Sequence, residues 1–249
     1  MKITHYLAGF AFMALVGCNA PQGSPYSQNS PDIPTENVTL QPTPNVPATP
    51  MPHPQVAFVP GKVNMKDKLE PLPGVKAPKL KKVVKAKFQT TQGDLLMEIY
   101  PEAAPNASKR FIELIKAGYY DKTPIFRVEP AFVAQFGINS KPKMIEWKDN
   151  NFKDDPSFFH LGPGTLAFAK AGPDTNSTQV FINYNDNSPL VQQGNFTAFG
   201  KVVKGFESTA KFRQVPAAGD QQRLWMDTEG FIKSLPEKPD SIIKAVILP

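Results

Sequence analysis

The stretch "IFRVEPAFVAQFG", residues 125–137, places short apolar runs on either side of Pro130, with Arg127 and Gln135 set among the hydrophobic residues. Val, Ile and Phe at this density, bounded by Pro and Gly, are strand signals, so strands are expected at 125–129 and 132–136. The arginine has two readings. Side chains alternate along a strand, so Arg127 shares a face with Glu129 and could simply be paired with that carboxylate. Alternatively it is a fixed cation that serves a site.

Working upstream, "VVKAKFQTTQGDLLMEIY" (83–100) gives two strand-like runs around Thr-Gln-Gly-Asp, a hairpin signal. The next segment, "APNASKRFIELIKAGYY" (104–120), spaces Phe111, Leu114 and Ile115 at i, i+3 and i+4, a helical period; Asn106 or Ser108 could cap its start and Gly118 end it. Downstream, strands are expected at 165–169, 179–184, 197–203 and 241–248, with a short helix at about 205–213 followed by a long irregular stretch. There is no internal repeat. Many short strands with two helices point to a closed antiparallel barrel with helical caps, because closure removes exposed sheet edges.

The rest of the chain has a different composition. Of its 27 prolines, 14 lie between residues 19 and 80. The opening "MKITHYLAGFAFMALVGC" has one lysine and an apolar run, Tyr6–Val16, that is too short for a permanent membrane helix and fits an export signal. Its end, Leu15-Val16-Gly17-Cys18, resembles the lipobox of bacterial lipoproteins, in which cleavage before the cysteine is followed by lipidation. Cys18 is the single cysteine, so no intramolecular disulfide is available. Asn19, rather than an aspartate, follows it, which by the same resemblance leans to the periplasmic face of the outer membrane. Residues 19–61 carry only two charged side chains, Asp32 and Glu36, and are expected to be a disordered tether. From Lys62 to Lys87 nine lysines face Asp67 and Glu70, which reads as a solvated basic linker end. The expected organisation is therefore a signal peptide at 1–17, a linker at 18–82 and a folded domain at 83–249.

Most reaction chemistries find no support. The three histidines, His5, His53 and His160, stand apart, so Ser-His and metal-His sites are not indicated, and His160 reads as structural. No phosphate loop or dinucleotide fingerprint occurs. The acidic residues Asp149, Asp154 and Asp155 lack the spacing of a calcium loop and read as solvated loop. The net charge of +6 is modest, and without a base-reading motif nucleic acid is not an expected partner.

Two long motifs carry a resemblance. "YYDKTPIFRVEPAFVAQFG" keeps the Phe-Arg-Val, Pro-x-Phe and Gln-x-Gly spacing of the cyclophilins, peptidyl-prolyl cis/trans isomerases, and "GTLAFAKAGPDTNSTQVFIN" (164–183) keeps their G-T-x-x-x-A-x-A-G-P-x-T-x-x-x-Q-x-F-I pattern. "TTQGDLLMEIYPEAAPNASKRFIELIKAGYYD" and "FGKVVKGFE" support it, so that the resemblance covers roughly 83–249. It implies a closed eight-stranded antiparallel β-barrel capped by two α-helices, with a proline-binding groove on its surface. It also implies that Arg127 and Gln135 are catalytic, that Phe132, Val133, Phe181 and Leu190 line the proline pocket, with Phe196 beside them, and that Gln135, Ala169, Lys170, Ala171 and Gln179 hold the substrate backbone. No cofactor or metal is implied. The implied partners are Xaa-Pro segments of polypeptide clients, and the protein is expected to be a monomer held to the cell envelope through Cys18.

Several positions depart from the family's pattern. Glu129 stands where an apolar residue is common; turned towards Arg127, it would weaken catalysis. Phe126 replaces a frequent histidine, Pro189 a tryptophan and Phe196 a histidine, with neither Trp147 nor Trp225 at the missing tryptophan's place. Weak inhibition by cyclosporin is therefore expected. Lys170 replaces a common asparagine at a position that mainly offers backbone, so little effect is expected. Residues 138–160 match only a subset of the family, through "EWKDNNFKDDP". The alternatives to an active envelope isomerase are a catalytically weak proline-peptide-binding module and a structural envelope lipoprotein.

Overall fold

The computed structural model describes residues 69–249; the expected signal peptide, Cys18 and the tether as far as residue 68 lie outside the described residues. Eight strands form a closed barrel: β1 (Val84–Thr90), β2 (Gly93–Ile99), β3 (Thr123–Glu129), β4 (Val133–Phe136), β5 (Thr165–Phe168), β6 (Val180–Asn183), β7 (Gly200–Lys204) and β8 (Ser241–Ile247). Their order around the barrel is β1-β2-β7-β5-β6-β4-β3-β8, and every pairing is antiparallel. The expected eight-stranded barrel is thus observed, with strand ends within a few residues of those read from the sequence.

Period-2 alternation sorts the residues. Ala86, Phe88, Leu95, Met97, Ala134, Phe136, Leu166, Phe168, Val180 and Ile182 point into one interior cluster. Helix α1 (Pro105–Lys116) adds Phe111, Leu114 and Ile115 to that cluster, as its apolar spacing predicts. The Phe111 ring stacks on Phe88 at 5.7 Å and packs against Phe199 at 5.0 Å and Tyr120 at 5.4 Å. Gly118, at φ +69°, ends the helix as expected. Its start differs from expectation. The cap position is Ala104, and the free N–H groups of Asn106 and Ala107 donate to the Asp155 carboxylate at 3.1 and 2.8 Å. A loop remote in sequence therefore does what neither Asn106 nor Ser108 does.

The second expected cap, at about 205–213, is a 3-10 turn (Phe206–Lys211), not an α-helix. Its bonds close over three residues, Ser208 N–H to Gly205 O and Phe212 N–H to Thr209 O, and it delivers Phe206 and Phe212 to the interior. The stretch read as irregular holds two short helices, α3 (Gln221–Met226) and α4 (Thr228–Ser234), preceded in the chain by α2 (Pro189–Gly194). Asp220 and Asp227 cap α3 and α4 by accepting from Arg223 N–H and Gly230 N–H. Leu224 and Phe231 then pack with Val215, Ala218 and Leu235 over Phe126 and Ile138 in a separate apolar cluster. The frequent-histidine position at Phe126 is thus spent on seating these helices.

Residues 69–82, read from the sequence as the end of the linker, belong to the folded body. Leu69 is buried, Pro71 bridges Phe159, Leu72 N–H donates to Phe158 O at 2.9 Å and His160 N–H to Glu70 O at 2.8 Å. Ala77 and Leu80 pack against the same outer apolar cluster as Leu69. The lysines between them hide this pattern from a charge count.

Candidate functional site

A register shift decides where Arg127 points. Ile125 pairs with Phe136 and Arg127 with Gln135, so Phe126 is the extra residue of a bulge. Without it, Arg127 would face inward with Ile125. With it, Val128 returns to the interior cluster and Arg127 and Glu129 lie on the outer face with Gln135. The pairings Arg127 to Gln135, Gln135 to Phe181 and Phe181 to Ala167 then make one row across β3, β4, β6 and β5.

Along this row runs a ladder of hydrogen bonds. Arg127 Nη1 donates to Gln135 Oε1 at 3.1 Å, Gln135 Nε2 to Gln179 Oε1 at 2.8 Å, and Gln179 Nε2 to Gln221 Oε1 at 3.1 Å. Gln221, from α3, is a member that the sequence reading missed; the Asp220 cap beside it was the signal available. Arg127 Nε donates to Glu129 Oε1 at 2.8 Å. Arg127 is thus paired with Glu129 and at the same time stands in the row with Gln135. The pair is partly open to solvent, with side chains 30% and 44% exposed.

The guanidinium also lies 5.6 Å from the Phe132 ring centroid. Phe132 follows Ala131, whose φ of +62° is unusual for a residue with a side chain. The turn is held by Phe132 N–H to Glu129 O, and by Tyr184 N–H and Asn187 Nδ2 donating to Phe132 O. Phe132, Val133, Phe181, Leu190 and Phe196 meet in a single outer apolar cluster, as the resemblance implies, with Phe181 and Phe196 edge to face at 5.9 Å. Leu190 comes from α2, and Pro189 begins that helix.

The segment 169–171 lies alongside. Ala169 N–H donates to Gln179 O at 2.9 Å and Ala171 N–H to Thr175 Oγ1 at 2.9 Å. Lys170, read from the sequence as offering mainly its backbone, also has a partnered side chain. Its side chain is 3% exposed, and its ammonium donates to Asp154 Oδ2 at 2.5 Å.

The acidic loop also differs from the reading as solvated. Asp149 is exposed, but Asp154 pairs with Lys170 and accepts from Asn176 at 2.6 Å, and Asp155 caps α1. Burial pushes the Asp155 carboxyl above its ordinary value, opposed by the two N–H donors from α1. His160 is structural, its Nδ1 lying 2.8 Å from Ser188 Oγ. Among the described residues, no group of three His, Cys, Asp or Glu side chains is placed to hold a metal ion.

Comparison with known proteins gives this geometry a context. Residues 85–235 match the family described as cyclophilin type peptidyl-prolyl cis-trans isomerase/CLD. The chain is 37% identical over 140 residues to peptidyl-prolyl cis-trans isomerase-like 3 of Gibberella zeae, covering 51% of this chain and 82% of that protein. It is 33% identical over 165 residues to peptidyl-prolyl cis-trans isomerase ppi1 of Schizosaccharomyces pombe, covering 65% of this chain and 97% of that protein. Among solved structures, a cyclophilin type peptidyl-prolyl cis-trans isomerase of Cryptosporidium parvum superposes with a TM-score of 0.52 at 24% identity, covering 68% of this chain and 99% of that one. The same protein crystallised in the presence of the dipeptide Ala-Pro gives 0.51, covering 66% and 99%.

Proposed function

The chain belongs to the cyclophilin family of peptidyl-prolyl cis-trans isomerases, and from that premise we propose that it accelerates rotation about Xaa-Pro bonds in cell-envelope proteins, with Arg127 as the catalytic group. The observation that carries the reading is the row Arg127–Gln135–Phe181 beside Phe132: a cation and a carboxamide ladder flanking an apolar wall.

The barrier to rotation, about 18–20 kcal/mol, comes from amide resonance. In the transition state the prolyl nitrogen is pyramidal and its lone pair is free to accept a hydrogen bond. The Arg127 guanidinium, held at Nε by Glu129 and at Nη1 by Gln135, has further N–H donors to offer that lone pair. One hydrogen bond from a charged group contributes about 1.5–3 kcal/mol, or one to two decades of rate. The remainder comes from gripping the proline ring against Phe132, Val133, Phe181, Leu190 and Phe196 while Gln135, Gln179 and the 169–171 segment hold the flanking amides. Catalysis here is tighter binding of the twisted form than of either planar form, with no covalent step and no cofactor.

Localisation rests on the leader. A signal ending at Gly17, acyl chains on Cys18 and a Pro-rich tether would leave a monomeric domain working away from the periplasmic face of the outer membrane. Radiolabelled palmitate should enter the wild-type protein and not Cys18→Ser; equal labelling of both would overturn the anchor.

The activity is tested by exchange NMR on an Ala-Pro tetrapeptide, with the wild-type protein beside Arg127→Ala. Acceleration that falls ten- to hundredfold in a folded Arg127→Ala is the expected result. Wild-type protein that binds the peptide without accelerating exchange would make it a proline-peptide-binding module. No binding at all would leave a structural envelope lipoprotein.

A further inference from the structure

Beside the proposed groove lies a buried ammonium that the proposed reaction does not use. Lys170 lies between Ala169 and Ala171, and its side chain is 3% exposed. Its ammonium donates to Asp154 Oδ2 at 2.5 Å and to Asn195 O at 3.3 Å, and it sits 5.5 Å from the ring centroid of Phe196. These partners come from separate loops. Asp154 is further fixed by Asn176 Nδ2 at 2.6 Å, while its own N–H donates to Asp174. Asn195, in the left-handed region at φ +51°, closes α2 and carries Phe196 directly after it.

We infer that Lys170 is a positioning residue for substrate binding: through Asp154 and Asn195 it locks the Phe196 wall of the proline pocket against the 169–171 segment. This rests on the isomerase reading above. An ammonium group has three N–H donors and no acceptor; here two are used on loop oxygens and the group lies against the Phe196 ring. Enclosed in this way, it does not read the charge of a substrate; its effect passes through the geometry of the pocket. The Phe196 ring is held on its other sides too. It packs edge to face on Phe181 at 5.9 Å, its carbonyl accepts from Ser157 Oγ at 3.0 Å, and a Cβ added at Gly194 would come 2.8 Å from its Cε2. The ring is partly buried, with the Lys170 ammonium on one side, and removing the lysine opens that side.

The test compares the wild-type protein with Lys170→Met/Asp154→Asn, which removes both charges together and so leaves no unpaired ion in the loop. Gly194→Ala serves as a second variant that displaces the ring from the opposite side. Three quantities are read: the Phe196 ring signals by aromatic NMR, identified by their absence in Phe196→Leu; the Kd of an Ala-Pro tetrapeptide; and the exchange rate of the saturated complex. In the folded double variant the ring signals should shift and the Kd rise about tenfold, the size of a modest loss of fit in an apolar pocket. Exchange in the saturated complex should also fall, because the Phe196 wall grips the twisted form, but by a smaller factor than the Kd rises, since Arg127 keeps its own partners. Gly194→Ala should shift the same ring signals and raise Kd in the same sense. Unmoved ring signals in a folded double variant, or moved signals with an unchanged Kd, would overturn the inference. Should the wild-type protein neither bind nor accelerate, the isomerase reading fails, and a ring that still shifts in the double variant would keep Lys170 as the lock of that wall.

Discussion

Arg127 holds two partners at once, and the geometry of its side chain makes that possible. Nε meets Glu129 and Nη1 meets Gln135, a division that a planar fork of donors can make and a single ammonium cannot. Arg127→Lys is therefore expected to keep the charge and still lose at least about tenfold in kcat/KM, measured by exchange NMR. On the proposed mechanism, Glu129 draws the guanidinium to one side and offsets its charge where the prolyl nitrogen would be served. A partly exposed ion pair of this kind contributes about 0.2–1 kcal/mol. Glu129→Gln should accordingly raise turnover, by no more than about fivefold; a fall on this substitution would show that the carboxylate orients Arg127 productively.

At the scale of elements, helix α1 depends on a carboxylate 48 residues beyond Ala107 in the chain. Replacing Asp155 by Ala strands two N–H groups and should cost about 1–2 kcal/mol in chemical denaturation. Its pH dependence has a definite sign. Burial raises the Asp155 carboxyl in the folded state, so the folded protein binds that proton more tightly than the unfolded chain. Its contribution to stability is then greatest in acid and falls as pH rises through the carboxylate range. The melting temperature of wild type relative to Asp155→Asn should decline from acid to neutral pH; a rise would mean that the α1 N–H groups outweigh burial. At the end of β4, Gly137 has φ +105°, and a Cβ there would come 2.4 Å from Thr178 O. Gly137→Ala clashes with backbone that cannot give way, and should destabilise the β4–β6 side by several kcal/mol.

For the whole molecule, burial is shared between the barrel interior and two outer clusters, one of which contains the groove wall. The outer cluster at the groove includes Leu69, Ala77 and Leu80, so the groove's support begins upstream of the first strand. A chain starting at residue 83 should be less stable than one starting at 69 by at least about 1.5–3 kcal/mol, the contribution of burying one leucine; equal denaturation midpoints would contradict this packing. The sequence alone pointed to the barrel, and its resemblance to the cyclophilins pointed to the residues that meet on the barrel's outer face. Period-2 alternation and the helical spacing of Phe111, Leu114 and Ile115 are written in neighbouring residues, and the two long motifs kept Arg127, Phe132, Gln135, Gln179 and Phe181 at fixed spacing. Only the tertiary structure decided that a bulge at Phe126 turns Arg127 outward, that Asp155 caps α1, that Lys170 is buried under Phe196, and that Gln221 extends the ladder. The reason is range: alternation and turns depend on bonds a few residues long, whereas register, trans-loop caps and buried ion pairs exist only once barrel closure has brought distant segments together.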